Sequence, residues 1–323
     1  MKILLCADVR LGAVCTENLG VKLSHKWQSA RTEKLLDLVD QAAQNNASYI
    51  AFYGRMFGQE RVSESVIDEL FNAVKEDRHI QVLAFMDADE YNRIVYRNDI
   101  PENLHLICTQ IDDAYVYEGI AVQVEKGVTS MQLSGNSPVT IVENADGAFV
   151  LSGAGEEHNI PSFEPVGFED TADTVYGYGL LEWEEESITG YSVVKNQKYA
   201  YESIELKILP EDGQKEIVRK INTAVAKINI DTLLRITIVG RSAFGLTLNS
   251  DVLEDQLQNK IFFVEVYDNT IMDIDEESFA NDISLRSEFV RLALQDDSLS
   301  ESERNRIISC GWNALNGKEV SAE

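Results

Sequence analysis

The sequence predicts an α/β protein in which strands alternate with helices as far as Cys108, a second β-rich sheet follows, and a smaller α+β module and terminal helices close the chain. Three observations carry this. Short apolar runs alternate with helix-period stripes in the first part, the pattern of βαβ units and a parallel sheet. After Cys108 the helical stripes give way to short strand-like segments. Near Pro210 the strand–helix alternation resumes.

Lys2 to Ala7 is a short apolar segment bounded by polar residues, which suits a buried strand. From Arg31 to Asn46, Leu35, Leu38, Val39 and Ala42 recur at the spacing of a helix packed on a sheet. Tyr49 to Tyr53 is the next strand, Val66, Leu70, Ala73 and Val74 mark a second helix, and Ile80 to Met86 and Leu104 to Cys108 are further strands. Ala114 to Val124 reads as a hairpin turning at Glu118-Gly119, with more strands at Val139 to Val142, Ala148 to Leu151 and Tyr191 to Val194. A strand up to Ile208, a helix bearing Ile217, Ile221, Val225 and Ile228, the strand Leu233 to Val239, a helix over Asp251 to Lys260 and the strand Ile261 to Tyr267 compose the smaller module. Two helices end the chain, the second opening with a Ser300-x-x-Glu303 capping box. The expected domains are residues 1–200, 201–275 and 276–323.

Charge limits the partners. Against 28 Lys and Arg stand 55 Asp and Glu, a formal charge of −27 that repels a polyanion at long range. Direct nucleic-acid binding is therefore expected to be weak or absent. Acidic clusters at Glu182, Glu184, Glu185 and Glu186 and at Asp273, Asp275, Glu276 and Glu277 read as solvated faces and turns. The run Ile3 to Ala7 is too short for a secretory core or a membrane span, so a cytoplasmic location is expected. Cys6, Cys15, Cys108 and Cys310 lack CxxC spacing and read as reduced thiols. His25, His79, His105 and His158 have no ligand-like spacing. Neither a G-x-S-x-G elbow nor a GxxxxGK[ST] loop is present.

Chemistry is expected at the carboxyl ends of the first strands. They read Asp8-Val9-Arg10-Leu11-Gly12, Tyr53-Gly54-Arg55-Met56-Phe57 and Ala84-Phe85-Met86-Asp87-Ala88-Asp89. This order resembles the calcineurin-like metallophosphoesterases, and more narrowly the SbcD family of DNA double-strand-break repair nucleases, whose strand ends read D-x-H-L-G, G-D-L-F and G-N-H-D. Asp231 to Ile236 with Gly240 resembles the strand of that family's capping domain, and Ser284 to Phe289 with Asn313 to Leu315 resembles the tail of its Gram-positive members. The resemblance implies a two-sheet α/β/β/α sandwich, a capping domain, a pair of Mn²⁺ ions, homodimerisation and an SbcC-type coiled-coil ATPase as partner.

It also locates the departures. Asp8 matches its motif, but Arg10 stands at a metal-ligand His, Arg55 at the bridging Asp, and Met86 and Asp87 at the Asn and His of the third motif. The later histidine motifs fall on Ser152 and on Gly179-Leu180-Leu181-Glu182, with Leu180 and Glu182 in the ligand places. A two-metal centre clamps phosphoryl oxygens between cations about 3.5 to 4 Å apart and needs lone-pair donors, which a permanently protonated guanidinium is not. An inactive centre is expected, with no metal. Arg10 and Arg55 are expected to pair with Asp8, Asp87 or Asp89, either as an internal salt-bridge network or as an anion site. A single Mg²⁺ or Mn²⁺ on Asp8, Asp87, Asp89 and Glu90 is the alternative. A working metal-dependent exonuclease with non-standard ligands is the rival function. On the resemblance, Phe289, Leu292, Ile308, Trp312 and Leu315 are the residues expected either to contact the ATPase or to pack back on the capping domain.

Overall fold

The computed structural model describes residues 1–59, 62–117, 120–125, 128–133, 139–144, 148–153, 156–171, 174–184, 187–246, 248–274, 279, 282–296 and 298–315. The expected turn at Glu118-Gly119 and the acidic residues Glu185, Glu186, Asp275, Glu276 and Glu277 lie outside them. The chain is mixed α/β and divides into two compact units, Met1–Lys198 and Tyr199–Glu323.

The first unit holds two six-stranded sheets. In the first, β1 (Lys2–Ala7), β2 (Tyr49–Tyr53), β3 (Gln81–Met86) and β4 (Leu104–Cys108) run parallel, and β11 (Gly177–Glu184) and β12 (Ser187–Lys195) extend it antiparallel beyond β1. The second is an antiparallel meander of β5 (Asp113–Tyr117), β6 (Ile120–Glu125), β7 (Val128–Leu133), β8 (Val139–Glu143), β9 (Phe149–Gly153) and β10 (Glu156–Asn159).

Successive side chains on a strand point to opposite faces, and β1, β2 and β3 at the middle of the first sheet are buried on both, which is why they are nearly continuous apolar runs. Leu4, Cys6, Ile50, Phe52, Val82, Ala84 and Met86 face α1 (Gly20–Gln44), α2 (Glu64–Glu76) and α3 (Ala88–Ile94). Ile3, Leu5, Ala7, Tyr49, Tyr53, Leu83 and Phe85 face Ile120, Val122, Val124, Met131, Val139, Ile141 and Leu151 of the second sheet. That sheet alternates instead, and Ala121, Gln123 and Glu125 of β6 are exposed on its outer side. Among the described residues of this unit, every α-helix packs on the first sheet, so the layers are α/β/β rather than the expected four.

Helix α1 begins at Gly20, well before the stripe starting at Arg31, because from Gly20 to Ser29 only Trp27 is buried and those turns carry no apolar stripe. It ends in a Schellman motif: Asn46 takes φ 54° and the N–H groups of Asn46 and Ala47 reach the carbonyls of Ala43 and Ala42.

In the second unit, β13 (Ala200–Ile208), β14 (Thr232–Ser242) and β15 (Phe263–Met272) form a wholly parallel sheet with α4 (Gln214–Val225) and α5 (Ser250–Leu257) as crossovers. The expected α+β module is thus a βαβαβ unit, since parallel neighbours need crossover connections and helices supply them. Its core joins Ile217, Ile221 and Val225 to Leu234, Ile236, Ile238, Val264 and Val266. Helices α6 (Leu285–Leu294) and α7 (Glu301–Leu315) belong to this unit and share a smaller core with Met272. Among the described residues no helix is long and apolar enough to cross a membrane.

Candidate functional site

The carboxyl ends of β1, β2 and β3 open into a cleft of about 500 Å³. Asp8, Arg10, Gly54, Arg55, Met86 and Asp87 line it from the first sheet, and Thr129, Ile141, Glu143 and Phe149 from the second. Tyr53 and Phe85 stack at 4.3 Å on its floor, with Phe149 6.1 Å from Tyr53. Burial pushes the Tyr53 phenol well above its ordinary value, and the neutral hydroxyl donates to Met131 Sδ at 3.4 Å.

Asp8 and Arg10 both adopt φ 49°, a left-handed conformation costly for a residue with a Cβ. The surroundings hold it in place. Asp8, Arg10 and Leu11 donate N–H groups to the carbonyls of Tyr53, Arg55 and Met56, so the two loops stay paired beyond their strands. From behind, the buried Arg31 guanidinium donates to the carbonyls of Val9 at 3.0 Å, Glu164 at 2.9 Å and Pro165 at 2.6 Å, with Arg10 at 3.5 Å. The Trp27 ring lies 4.6 Å from it. Beside it the buried Lys34 ammonium donates to the Phe163 carbonyl and to Glu164 Oε1 at 2.9 Å. Burial lowers the Lys34 pKa, and the Glu164 carboxylate opposes that shift.

Gly54 is required where it stands. Its φ is 76°, and a Cβ there would meet Asp8 Oδ1 at 2.6 Å and the Phe149 ring at 2.7 Å. Asp8 Oδ1 instead accepts the Arg55 N–H at 3.0 Å. Asp8 Oδ2 lies 3.8 Å from Arg10 Nη2, a loose single contact, while Arg10 Nη1 is closer to Asp170, at 3.3 Å. Asp170 also accepts the Val166 N–H, and its carbonyl takes the Tyr176 hydroxyl, whose pKa burial pushes up to about 12.

Arg55 departs from expectation. Its side chain is exposed on the cleft and, among the described residues, joins no ion pair or side-chain hydrogen bond. An exposed guanidinium stays fully hydrated in water, so nothing compels it to pair.

The third loop is spent on structure. Asp87 caps α3, accepting the Glu90 N–H at 2.8 Å, and Asp89 on the first turn is exposed. Glu90 is buried and accepts the N–H groups of Met56 and Phe57, each at 3.0 Å, which ties α3 to the β2 loop. Burial raises the Glu90 pKa, and those two amides hold it down.

Three expected site residues lie elsewhere. Glu182 pairs with Lys2 in register and by a 2.7 Å salt bridge, at the opposite end of β1 from Asp8. Leu180 pairs with Leu4 and is buried in the helix-side core. Ser152 lies between inward-facing neighbours on β9 and reaches Glu157 Oε1 at 3.5 Å. The pairing of β11 with β1 and of β9 with β8 fixes these three positions. His158 stacks on Tyr191 at 4.6 Å with Nε2 3.3 Å from Glu156.

Arg31, Lys34 and Asp170, which support the cleft from behind and beside it, are not singled out by the sequence reading. Arg31 and Lys34 fall on the same helical face as Leu35 and Leu38, and a charge on a buried stripe is the signal that finds them.

The donor set does not fit a two-metal centre. One Asp8 oxygen accepts a backbone amide and the other faces a guanidinium, Asp87 is bonded within its own helix turn, and among the described residues neither His nor Asn lines the cleft. Among the described residues no group of three or more His, Cys, Asp and Glu side chains is arranged to hold a metal ion, so Asp8, Asp87 and Asp89 do not converge as the single-cation alternative requires.

The terminal helices sort the remaining residues. Ile308 is fully buried, Trp312 packs edge-on to Phe244 at 4.5 Å, and the Phe289 ring covers Gly311. Leu315 is half-buried. Leu292 is 61% exposed, on the same α6 face as Leu285 at 74%.

No protein-family model matches the chain, and no curated protein matches it.

Proposed function

We propose that this chain is a catalytically degenerate relative of the SbcD nucleases, retaining a metallophosphoesterase-like sandwich and capping module as a cytoplasmic structural or regulatory subunit. The observation that supports it most is the occupancy of the strand-end cleft: Arg10 and Arg55 stand where the resemblance seats a ligand histidine and a bridging aspartate. A guanidinium repels a divalent cation and offers it no lone pair. In this reading the partner is an SbcC-type ATPase, homodimerisation accompanies it, and DNA contact is left to the partner. Of the five residues expected either to dock the ATPase or to pack inward, Ile308, Phe289 and Trp312 pack in their own core and Leu315 is half-buried, so in this reading Leu292, joined by Leu285, is the face offered to a partner.

The anion-site version is weaker on charge. Asp8, Asp87 and Glu143 line the cleft against two guanidinium groups, and Arg10 is already engaged by Asp170.

Hydrolysis of a bis-aryl phosphate and of linear duplex DNA in Mn²⁺ tests the proposal, beside metal content by mass spectrometry of the purified protein. No turnover above background and no stoichiometric metal is the expected result. Metal-dependent turnover abolished by Asp8→Asn establishes the rival exonuclease reading instead.

A further inference from the structure

A second pocket, of about 410 Å³, lies at the other end of the first sheet, where β3 and β4 begin. From Gln81 to Met86 the strand climbs roughly 17 Å at about 3.3 Å per residue, so this pocket is remote from the strand-end cleft. It is lined by Lys75, Arg78, Gln81, Ile100, Pro101, Glu102 and Asn103. Two cations face one carboxylate here, the reverse of the balance in the cleft, in a chain whose formal charge is −27.

The pocket is built rather than incidental. Asn103 is buried, and its side-chain amide donates to the carbonyls of Val74 at 3.0 Å, Ile80 at 2.9 Å and Asp77 at 3.2 Å. Those bonds occupy the carbonyls of Val74 and Asp77 at the end of α2 and of Ile80 before β3, and carbonyls at a helix C-terminus are what otherwise repels an anion. Gln81 Oε1 takes the ring Nε2 of His105 at 2.7 Å. With Gln81 Oε1 accepting from that ring, the Gln81 amide nitrogen is left as an N–H donor. Lys75 and Arg78 are exposed and, among the described residues, neither forms a salt bridge, while nearby Asp99 is held by Arg97. Ammonium, guanidinium and amide N–H groups therefore share one pocket beside the apolar wall of Ile100 and Pro101.

We propose that this pocket binds a small phosphate monoester, its dianionic head between Lys75 and Arg78 and its apolar body on Ile100 and Pro101. The proposal is independent of what the strand-end cleft does.

Calorimetry and amide chemical-shift titration with phenyl phosphate and with inorganic phosphate test it. Phenyl phosphate is expected to saturate and to bind about fivefold or more tighter than inorganic phosphate, the ring supplying apolar burial. Arg78→Gln and Lys75→Gln, both at exposed positions, are each expected to weaken it about tenfold or more, and Arg55→Gln to leave it unchanged. Absence of saturation overturns the proposal. So does equal affinity for the two probes, or binding lost in Arg55→Gln and kept in Arg78→Gln, which places the ligand in the cleft.

Discussion

Two pairs of cations in the first unit have opposite fates. Arg31 and Lys34 are buried and bonded, with the two terminal Arg31 nitrogens reaching four carbonyls and Lys34 a carbonyl and a carboxylate. Arg10 and Arg55 sit at the mouth of the cleft, one loosely shared between two aspartates and the other engaged by neither. A buried charge must be satisfied or it destabilises the fold, whereas water satisfies an exposed one at little cost. The first pair therefore reports what holds the strand-end loops in place, and the second what those loops present to solvent.

Breaking the buried pair has the largest expected effect. Arg31→Met strands the carbonyls of Val9, Glu164 and Pro165 and is expected to cost about 3–5 kcal/mol in urea unfolding. A loss under about 1 kcal/mol contradicts the clamp. Next comes Gly54→Ala, which forces a Cβ at positive φ against Asp8 and Phe149. About 2–3 kcal/mol is expected from the same assay.

Glu90→Gln sharpens the comparison through pH. An amide accepts only one of the two N–H groups that the carboxylate serves, so a cost of about 1–3 kcal/mol is expected. The folded pKa is raised above the ordinary 4.5, so protonation is favoured by folding. That contribution is complete below about 4.5 and disappears as pH rises through the folded value. Wild type and variant are thus expected to converge in stability on going up through that window. A gap that widens with pH reverses the assignment. The smallest effect belongs to Arg55→Gln, expected to leave the unfolding midpoint within about 1 °C of wild type in calorimetry.

The same contrast explains what the sequence made legible. β1 to β3 announce themselves because parallel strands buried on both faces demand apolar runs, and β4 follows from the apolar residues on either side of the half-buried His105. The first turns of α1 are not legible because only Trp27 is buried between Gly20 and Ser29, too little to set a period. Asp8, Arg10, Arg55 and Asp87 are brought to one cleft because each follows a strand of the same parallel sheet. Asp170 joins Arg10 from 160 positions away, a proximity no local pattern encodes. Glu182 was misplaced because its position depends on the pairing of β11 with β1, and antiparallel register sends it to the far end.

Titration of the purified protein with Mn²⁺, followed by electron paramagnetic resonance, tests the central claim most directly. With guanidinium groups at two strand ends and both aspartates bonded to backbone amides, the signal is expected to remain that of free, uncoupled Mn²⁺ throughout. A spin-coupled pair that titrates to two ions per chain, and disappears in Asp8→Asn and Asp87→Asn, contradicts it.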